Sequence, residues 1–383
     1  MTDRLLAEPV PPAPANVRWL KSTEVLDQWL QGLAPGTPIA LDTEFERVST
    51  FFPIPGLVQL GAAGDFWLVD PHVAESSEVF RTILTDPRWP KLLYAMSEDM
   101  ELFRHWLGLT PTGVLDLQIG AGLAGAGFSV GYAKLVERLF GEPLDKSETR
   151  SDWVSRPLSP QQEKYALDDI RFLHGLYDWV MTRLKERNLE AALAEESERF
   201  ARDAAAQENP DQHYLRLRGG WTLSAEQQSV LQRLVAWRER ECYKVDRPRN
   251  RVLSDALLIA IAERLPATLH ELNDIQGVPR GIVARYGEHL LALVRAGLAP
   301  DNPELEPIPR PLTRDQQALY KQVKGYFRKT AELHDIPIEI LAPRKRIEKV
   351  LTQGSLAENE FFKGWRGRLL EPVAPRIEEL LRQ

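Results

Sequence analysis

The sequence is poor in cysteine, in long apolar runs and in positive charge, and each deficit removes a class of explanation. One cysteine, Cys242, stands among 383 residues. A lone thiol closes no intrachain disulfide and builds no thiolate metal cluster, so Cys242 reads as a small filler in a helix. No apolar run approaches the roughly 18 residues that cross a bilayer. The opening stretch, MTDRLLAEPVPPAPANVRWL, places Asp3, Glu8 and four prolines where an export signal needs an uninterrupted apolar segment. It is expected to be a loose lead-in to a cytoplasmic protein. The seven histidines include no pair at metal-ligand spacing. Net charge is −7, which argues against coating nucleic acid by bulk electrostatics. It leaves room for a protein that holds a few nucleotides through metal ions or local basic patches.

Hydrophobic residues at 43% and charged residues at 27% mark an ordinary folded chain, long enough for two or three domains. Its first two hundred residues alternate strand and helix signals. Short apolar or alternating runs fall at Ile39–Phe45, Leu57–Ala63 and Phe66–Val69, the last two separated by Gly64-Asp65, a hairpin signal. A strand at Leu92–Ala95 is followed by a helix over Asp99–Leu107, and a strand at Gly113–Leu117 by a small-residue helical stretch. Ser159, Pro160 and Gln162 form a capping box, and apolar positions from Ala166 to Leu184 recur at three and four, which predicts one helix from Ser159 to about Arg187. The class that fits is α/β, with a sheet that starts as antiparallel hairpins and continues with strands joined through helices.

Beyond about residue 207 the strand signals fade. The remainder reads as helical, divided near Arg218-Gly219-Gly220 and across the proline-rich Gly297–Pro311. LSAEQQSVLQRL at 223–234 matches LTRDQQALYKQV at 312–323, each with a Ser or Thr cap and Gln three residues on. RYGEHLLALV at 285–294 is echoed loosely by GWRGRLLEPV at 364–373. Two copies of one small helical module are expected.

The run PIALDTEFE at 38–46 begins like a buried strand and then places Asp42 and Glu44 two apart, where a strand points both carboxylates to one face. Two buried carboxylates repel unless cations neutralise them. Hydrolases of phosphodiesters commonly hold two divalent ions, and Mg²⁺ or Mn²⁺ takes oxygen ligands from Asp and Glu. Asp99, just beyond the apolar run LLYA, offers a third acid, or else helps to start its helix. In YALDD at 165–169, Tyr165 and Asp169 stand one helical turn apart on the same face, and Asp168 is nearly on it. Helical geometry alone leaves Asp168 and Asp169 as alternatives.

In that order, Asp-x-Glu on a first strand, an Asp after a later strand and Tyr-x-x-x-Asp on a helix, the sequence resembles the DEDD superfamily of 3′-to-5′ exonucleases, in the branch with tyrosine in its third motif. LDKSETRSDW at 144–153 resembles more specifically the ribonuclease D family, while LPATLHELNDIQGV at 265–278 and the YG pair at 286–287 resemble HRDC domains. The resemblance implies an RNase H-like exonuclease domain, a mixed sheet flanked by helices, over 1–207. It implies one HRDC domain over 221–297 and a second, divergent one over 308–383. The family's catalytic residues then fall on Asp42, Glu44, Asp99, Tyr165 and Asp169, the four acids as ligands of two divalent cations (Mg²⁺ or Mn²⁺), and Asp168 becomes a bystander. The implied activity is exonucleolytic trimming of RNA 3′ ends, with tRNA precursors as the substrate class. A DNA exonuclease of the same superfamily is the rival enzyme, and a non-catalytic RNA-binding scaffold the rival outside it.

Further substrate contacts are expected from Thr43 and Phe45, which flank Glu44, and from Lys146, Arg150 and an exposed-looking Trp153 in the polar loop before the third motif. Residues 308–350 carry ten Lys or Arg against five acids, and with Tyr320, Tyr326, Phe327 and Arg344-Lys345-Arg346 they suggest an auxiliary RNA-binding face. The literal G-x-G-x-x-G at Gly120–Gly125 lacks the strand and acid of a dinucleotide site, so it reads as close helix packing, with Asp116 as a helix cap. No obligate protein partner is evident, and a monomer without membrane contact is expected.

Overall fold

The computed structural model describes residues 17–206 and 208–382, so most of the expected lead-in lies outside the described residues. Its last residues are structured rather than loose: β1 (Trp19–Leu20) pairs in parallel with β4 (Asp65–Val69). Strand β2 (Ile39–Glu46) pairs antiparallel with β3 (Ile54–Ala62), which turns through Ala63-Gly64 into β4. On its other side β2 runs parallel to β5 (Lys91–Leu93), and β5 to β6 (Val114–Asp116). The order is β1-β4-β3-β2-β5-β6, a mixed sheet with β2 near its centre.

Helices cover both faces. Helices α1 (Thr23–Gln31), α2 (Pro71–Ser76), α3 (Glu78–Thr85) and α4 (Ser97–Trp106) bury Leu26, Phe80 and Phe103 on one face with Leu41, Val58 and Leu60. On the other lie α5 (Leu117–Leu123), α6 (Tyr132–Phe140), α7 (Pro160–Arg171) and α8 (Leu173–Glu186), followed by α9 (Glu190–Ala206). The capping box at Ser159 and Gln162 is present, but the helix expected to run to Arg187 breaks at Phe172. That ring is buried against Phe140, 5.1 Å between centroids, and the break leaves the apolar spacing unchanged, so periodicity could not show it. Gly120 lies where a Cβ would come 2.9 Å from Val180, which bears out close packing of α5 on α8.

The chain divides into two compact units. The first holds the sheet, its helices and the C-terminal segment from Leu312. That segment forms α15 (Arg314–Leu333), α16 (Ile338–Leu341), α17 (Arg344–Gln353), α18 (Gly364–Leu370) and α19 (Ala374–Leu381). Its Phe327, Ile347 and Trp365 share one apolar core with Leu123, Val180 and Leu193 of the sheet domain. Arg366, fully enclosed, ion-pairs with buried Glu196 of α9 and donates to the Ile340 and Leu341 carbonyls, at 2.8 and 3.1 Å. Phe327 therefore leaves the expected RNA-binding face: it is wholly buried, stacked on Phe362 at 5.0 Å. A phenylalanine one turn from surface lysines faces the core because helical spacing alternates the two environments.

The second unit comprises Arg47–Pro53 and Arg202–Pro311. It contains α10 (Ala225–Val245), α11 (Arg249–Val252), α12 (Asp255–Arg264), α13 (Leu269–Asn273) and α14 (Arg280–Gly297), with buried Cys242 in α10. The β2–β3 loop belongs here: Phe51 and Phe52 donate their backbone N–H groups to Asp246 at 2.8 and 3.0 Å, and their rings pack on Tyr243. Ser224 and Thr313 both form capping boxes with the expected glutamines. The later echo is weaker, because α14 is one helix whereas its counterpart is split into α18 and α19. Among the described residues no helix is long and apolar enough to cross a membrane.

Candidate active site

Strand alternation sends Asp42 and Glu44 to the face covered by α7, where their cross-strand partners are Gln59 and Leu57. A bulge between Glu44 and Phe45 ends the regular ladder just beyond them. From above, α7 lowers Asp169 toward the strand. One carboxylate oxygen from each of Asp42, Glu44 and Asp169 lies within 4.8 Å of the others.

Asp99 enters from the first turn of α4 and is buried, accepting a hydrogen bond from the Thr43 hydroxyl at 2.5 Å. Its position depends on a turn that sequence reading assigned no role. Ala95 adopts the left-handed conformation at φ 60°, and the Asp116 carboxylate accepts from the Ala95 and Met96 backbone N–H groups at 3.1 Å each. The same carboxylate caps α5 at Gln118 and Ile119, as expected, so one buried acid fixes both turns.

The electrostatics are those of acids without counter-charge. Burial, then repulsion from Asp99, Asp169 and Glu44, holds Asp42 well above the usual carboxylate range. Burial and repulsion from Asp169 and Asp99 push Glu44 to about 9. Asp169 is raised to about 7, chiefly by burial, although a hydrogen bond from Tyr165 opposes the shift. Asp99 rises to about 6 by burial, opposed by the Thr43 hydrogen bond. The leading charge effects on Asp42 and Glu44 come from other carboxylates. A set of hard oxygen donors, half-buried at Asp42, Glu44 and Asp169, that repel one another fits divalent cations of the Mg²⁺ or Mn²⁺ kind.

The choice between adjacent acids is visible in their partners. Asp168 turns away from the cluster to Lys164 at 2.6 Å and Arg171 at 3.1 Å. Asp169 faces the other carboxylates. Tyr165 has its phenol pKa raised by burial and by the Asp169 charge, so it keeps its proton across the physiological range.

The polar loop before α7 departs from expectation at one residue. Trp153 is 1% exposed rather than presented to solvent, with its ring 5.8 Å from that of Tyr165. Room for it comes from Gly56 on β3, where a Cβ would stand 2.7 Å from that of Trp153. Arg156 holds the loop down through the Trp153 carbonyl at 2.9 Å and the Gly56 carbonyl at 2.5 Å, and Gln162 of the capping box adds a bond to the Asp152 carbonyl at 2.8 Å. The indole is thus a wall behind Tyr165 and offers no face to a base. Lys146 and Arg150 are exposed, while Thr43 is buried and Phe45 half-buried. The side chain of Thr43 is committed to Asp99.

A family model described as 3′-5′ exonuclease matches residues 17–185, and an HRDC domain model matches residues 227–294. Over 356 residues the chain is 34% identical to a ribonuclease D of Pseudomonas paraeruginosa, covering 92% of this chain and 94% of that one. It is 32% identical over 346 residues to a ribonuclease D of Shewanella, covering 89% and 88%. The crystal structure of Escherichia coli RNase D, described as an exoribonuclease involved in structured RNA processing, matches with a TM-score of 0.84 at 29% identity over 96% of this chain and 99% of that one. With the sheet order, the gathered acids and a likeness that runs nearly end to end in agreement, the chain belongs to the ribonuclease D family of 3′-to-5′ exoribonucleases.

Proposed function

We propose that this chain removes nucleotides one at a time from RNA 3′ ends, releasing nucleoside 5′-monophosphates, with tRNA precursors as its substrate class. The approach of Asp42, Glu44 and Asp169 to within 4.8 Å is the observation that carries the reading. Asp42, Glu44, Asp99 and Asp169 would hold two divalent cations, Mg²⁺ or Mn²⁺. Such ions supply the Lewis acidity that makes a water nucleophilic and offsets charge on the departing 3′ oxygen.

The chain's own residues do the rest. Tyr165, kept protonated by its surroundings, orients the attacking water by hydrogen bonding rather than by removing its proton. Trp153 and Thr149, the latter 3.4 Å from the phenol oxygen, limit where that hydroxyl can point. Thr43 fixes one oxygen of Asp99. Lys146 and Arg150 extend from the same loop as cations for the phosphates upstream of the scissile bond, and Phe45 borders the site for the terminal nucleotide.

Residues 308–383 would form a divergent HRDC-like module, following the HRDC domain expected over 221–297 and the exonuclease domain over 1–207. Its exposed Lys321, Arg328, Lys329, Lys345 and Lys349, together with Tyr320 flanked by Lys324 and Arg344, supply an auxiliary RNA-binding face. We place the enzyme in the cytoplasm as a monomer. Digestion of 3′- and 5′-labelled RNA with Mg²⁺, Mn²⁺ or chelator, beside DNA of the same sequence, tests the reading. Release of the 3′ label at the first cut and stepwise shortening of the 5′-labelled strand, both dependent on metal and on ribose, are expected. Equal cutting of DNA, or activity in chelator, would overturn it.

A further inference from the structure

Gln59 sits in the middle of β3 with no exposed surface, and neither its carboxamide oxygen nor its nitrogen has a hydrogen-bond partner. Leaving both ends of a buried amide unpaired is unfavourable, and an apolar residue of the same size would avoid the cost. The position therefore asks for a reason. Cross-strand register supplies one: Gln59 lies directly opposite Asp42 on β2, and opposite Leu68 on β4. Paired residues project to the same side of a sheet with their Cβ atoms about 5 Å apart, so the Gln59 and Asp42 side chains leave the sheet as neighbours, and a rotation of either brings amide and carboxylate together. Leu57 and Leu68, which pack with Ala166 of α7, mark this as the face that carries the acids.

Resting on the metal-site reading above, we infer that Gln59 is a positioning residue for Asp42, its amide nitrogen donating to the Asp42 carboxylate when the site is loaded. Chemistry favours a carboxamide for this task. A lysine or arginine would neutralise Asp42 and compete with the cation, whereas a glutamate would add another repelling charge. An amide is neutral, and it donates a directed hydrogen bond that restricts the carboxylate's rotation. Groups that hold a metal-binding carboxylate in this way raise affinity without touching the ion. With Thr43 restraining Asp99, two of the four acids then each have a neutral donor of their own.

The test uses the full-length protein and Mn²⁺ alone, with free ion followed by electron paramagnetic resonance. Gln59→Met keeps the length and removes the hydrogen bond. It is expected to weaken Mn²⁺ binding roughly tenfold, to leave the KM for RNA unchanged at saturating metal, and to melt no lower than the parent in chelator, since an unpaired amide has been removed. Should Gln59→Met fail to fold, Gln59→Leu faces the same comparison. Parental Mn²⁺ affinity in the folded variant would make Gln59 a core residue only and overturn the inference. An Asp169→Asn control separates the two levels. If the parent binds Mn²⁺ and the control does not, a null result at Gln59 sinks this inference alone; if the parent binds none, the metal-site reading itself has failed.

Discussion

Replacing Asp169 by Asn should make the metal-free protein more stable while it destroys the enzyme. The Asp169 carboxyl has a folded-state pKa of about 7, against 3.8 when free. A raised acid means that the native state binds the extra proton, so stability falls as pH rises from about 4 to about 7 and falls no further above that. At pH 8 the full shift of about three pH units corresponds to an upper bound of about 4 kcal/mol, reduced by solvent that reaches the partly open carboxylate. Asparagine keeps the shape and carries no charge, so it should recover a fraction of this. For a domain of this size each recovered kcal/mol raises Tm by roughly 2–4 °C. Thermal melts of both proteins in chelator from pH 5 to pH 9 provide the assay. The gain should be largest at pH 8, shrink toward pH 5, and vanish or reverse when Mn²⁺ is added. A variant no more stable than the parent at pH 8, or a gain that grows on acidification, would refute the claim that uncompensated charge strains the cluster.

Tyr165→Phe should lower kcat by one to two orders of magnitude, about what misplacing a reactant by an ångström costs, with little change in Mn²⁺ affinity; a matching loss of Mn²⁺ affinity would make the phenol part of the ion site. Asp168→Asn should retain most of the activity that Asp169→Asn loses, because Asp168 serves Lys164 and Arg171; equal loss would reverse the assignment. Trp153→Ala should destabilise the protein by about 3–5 kcal/mol, measured by denaturant unfolding, since it empties a filled core position. In the same assay Arg366→Met should cost about 3–5 kcal/mol by leaving Glu196 buried without its partner. If residues 312–383 were an appended module free of the sheet domain, that substitution would leave the exonuclease core as stable as before.

Much of the nuclease unit could be read from the sequence because its signals are local. Alternation in Ile39–Phe45, the turn at Gly64-Asp65 and the capping box at Ser159 each fix a backbone choice within a few residues. The four acids gained force from their order along the chain, and the structure gathers three of them within ligand reach of one another and Asp99 beside them. What stayed hidden depends on residues far apart in sequence. Trp153 reads as exposed among polar neighbours, and only Gly56, nearly a hundred positions earlier, makes the space that buries it. Phe327 and Arg366 face inward because α5, α8 and α9 meet the C-terminal segment, which no helical period can announce. The placement of Arg47–Pro53 with the helical unit is of the same kind. Gln59 did leave a signal, a lone amide in the apolar run LVQLGAA, but its meaning waited on the register that pairs it with Asp42.

The central claim is that these carboxylates hold divalent cations where RNA is cut. Anomalous diffraction from a crystal soaked in Mn²⁺ and measured at the manganese edge tests it most directly. Two strong peaks, each within ligand distance of oxygens drawn from Asp42, Glu44, Asp99 and Asp169, are the result this account predicts. Manganese found elsewhere on the protein, with the four acids unligated, would contradict it.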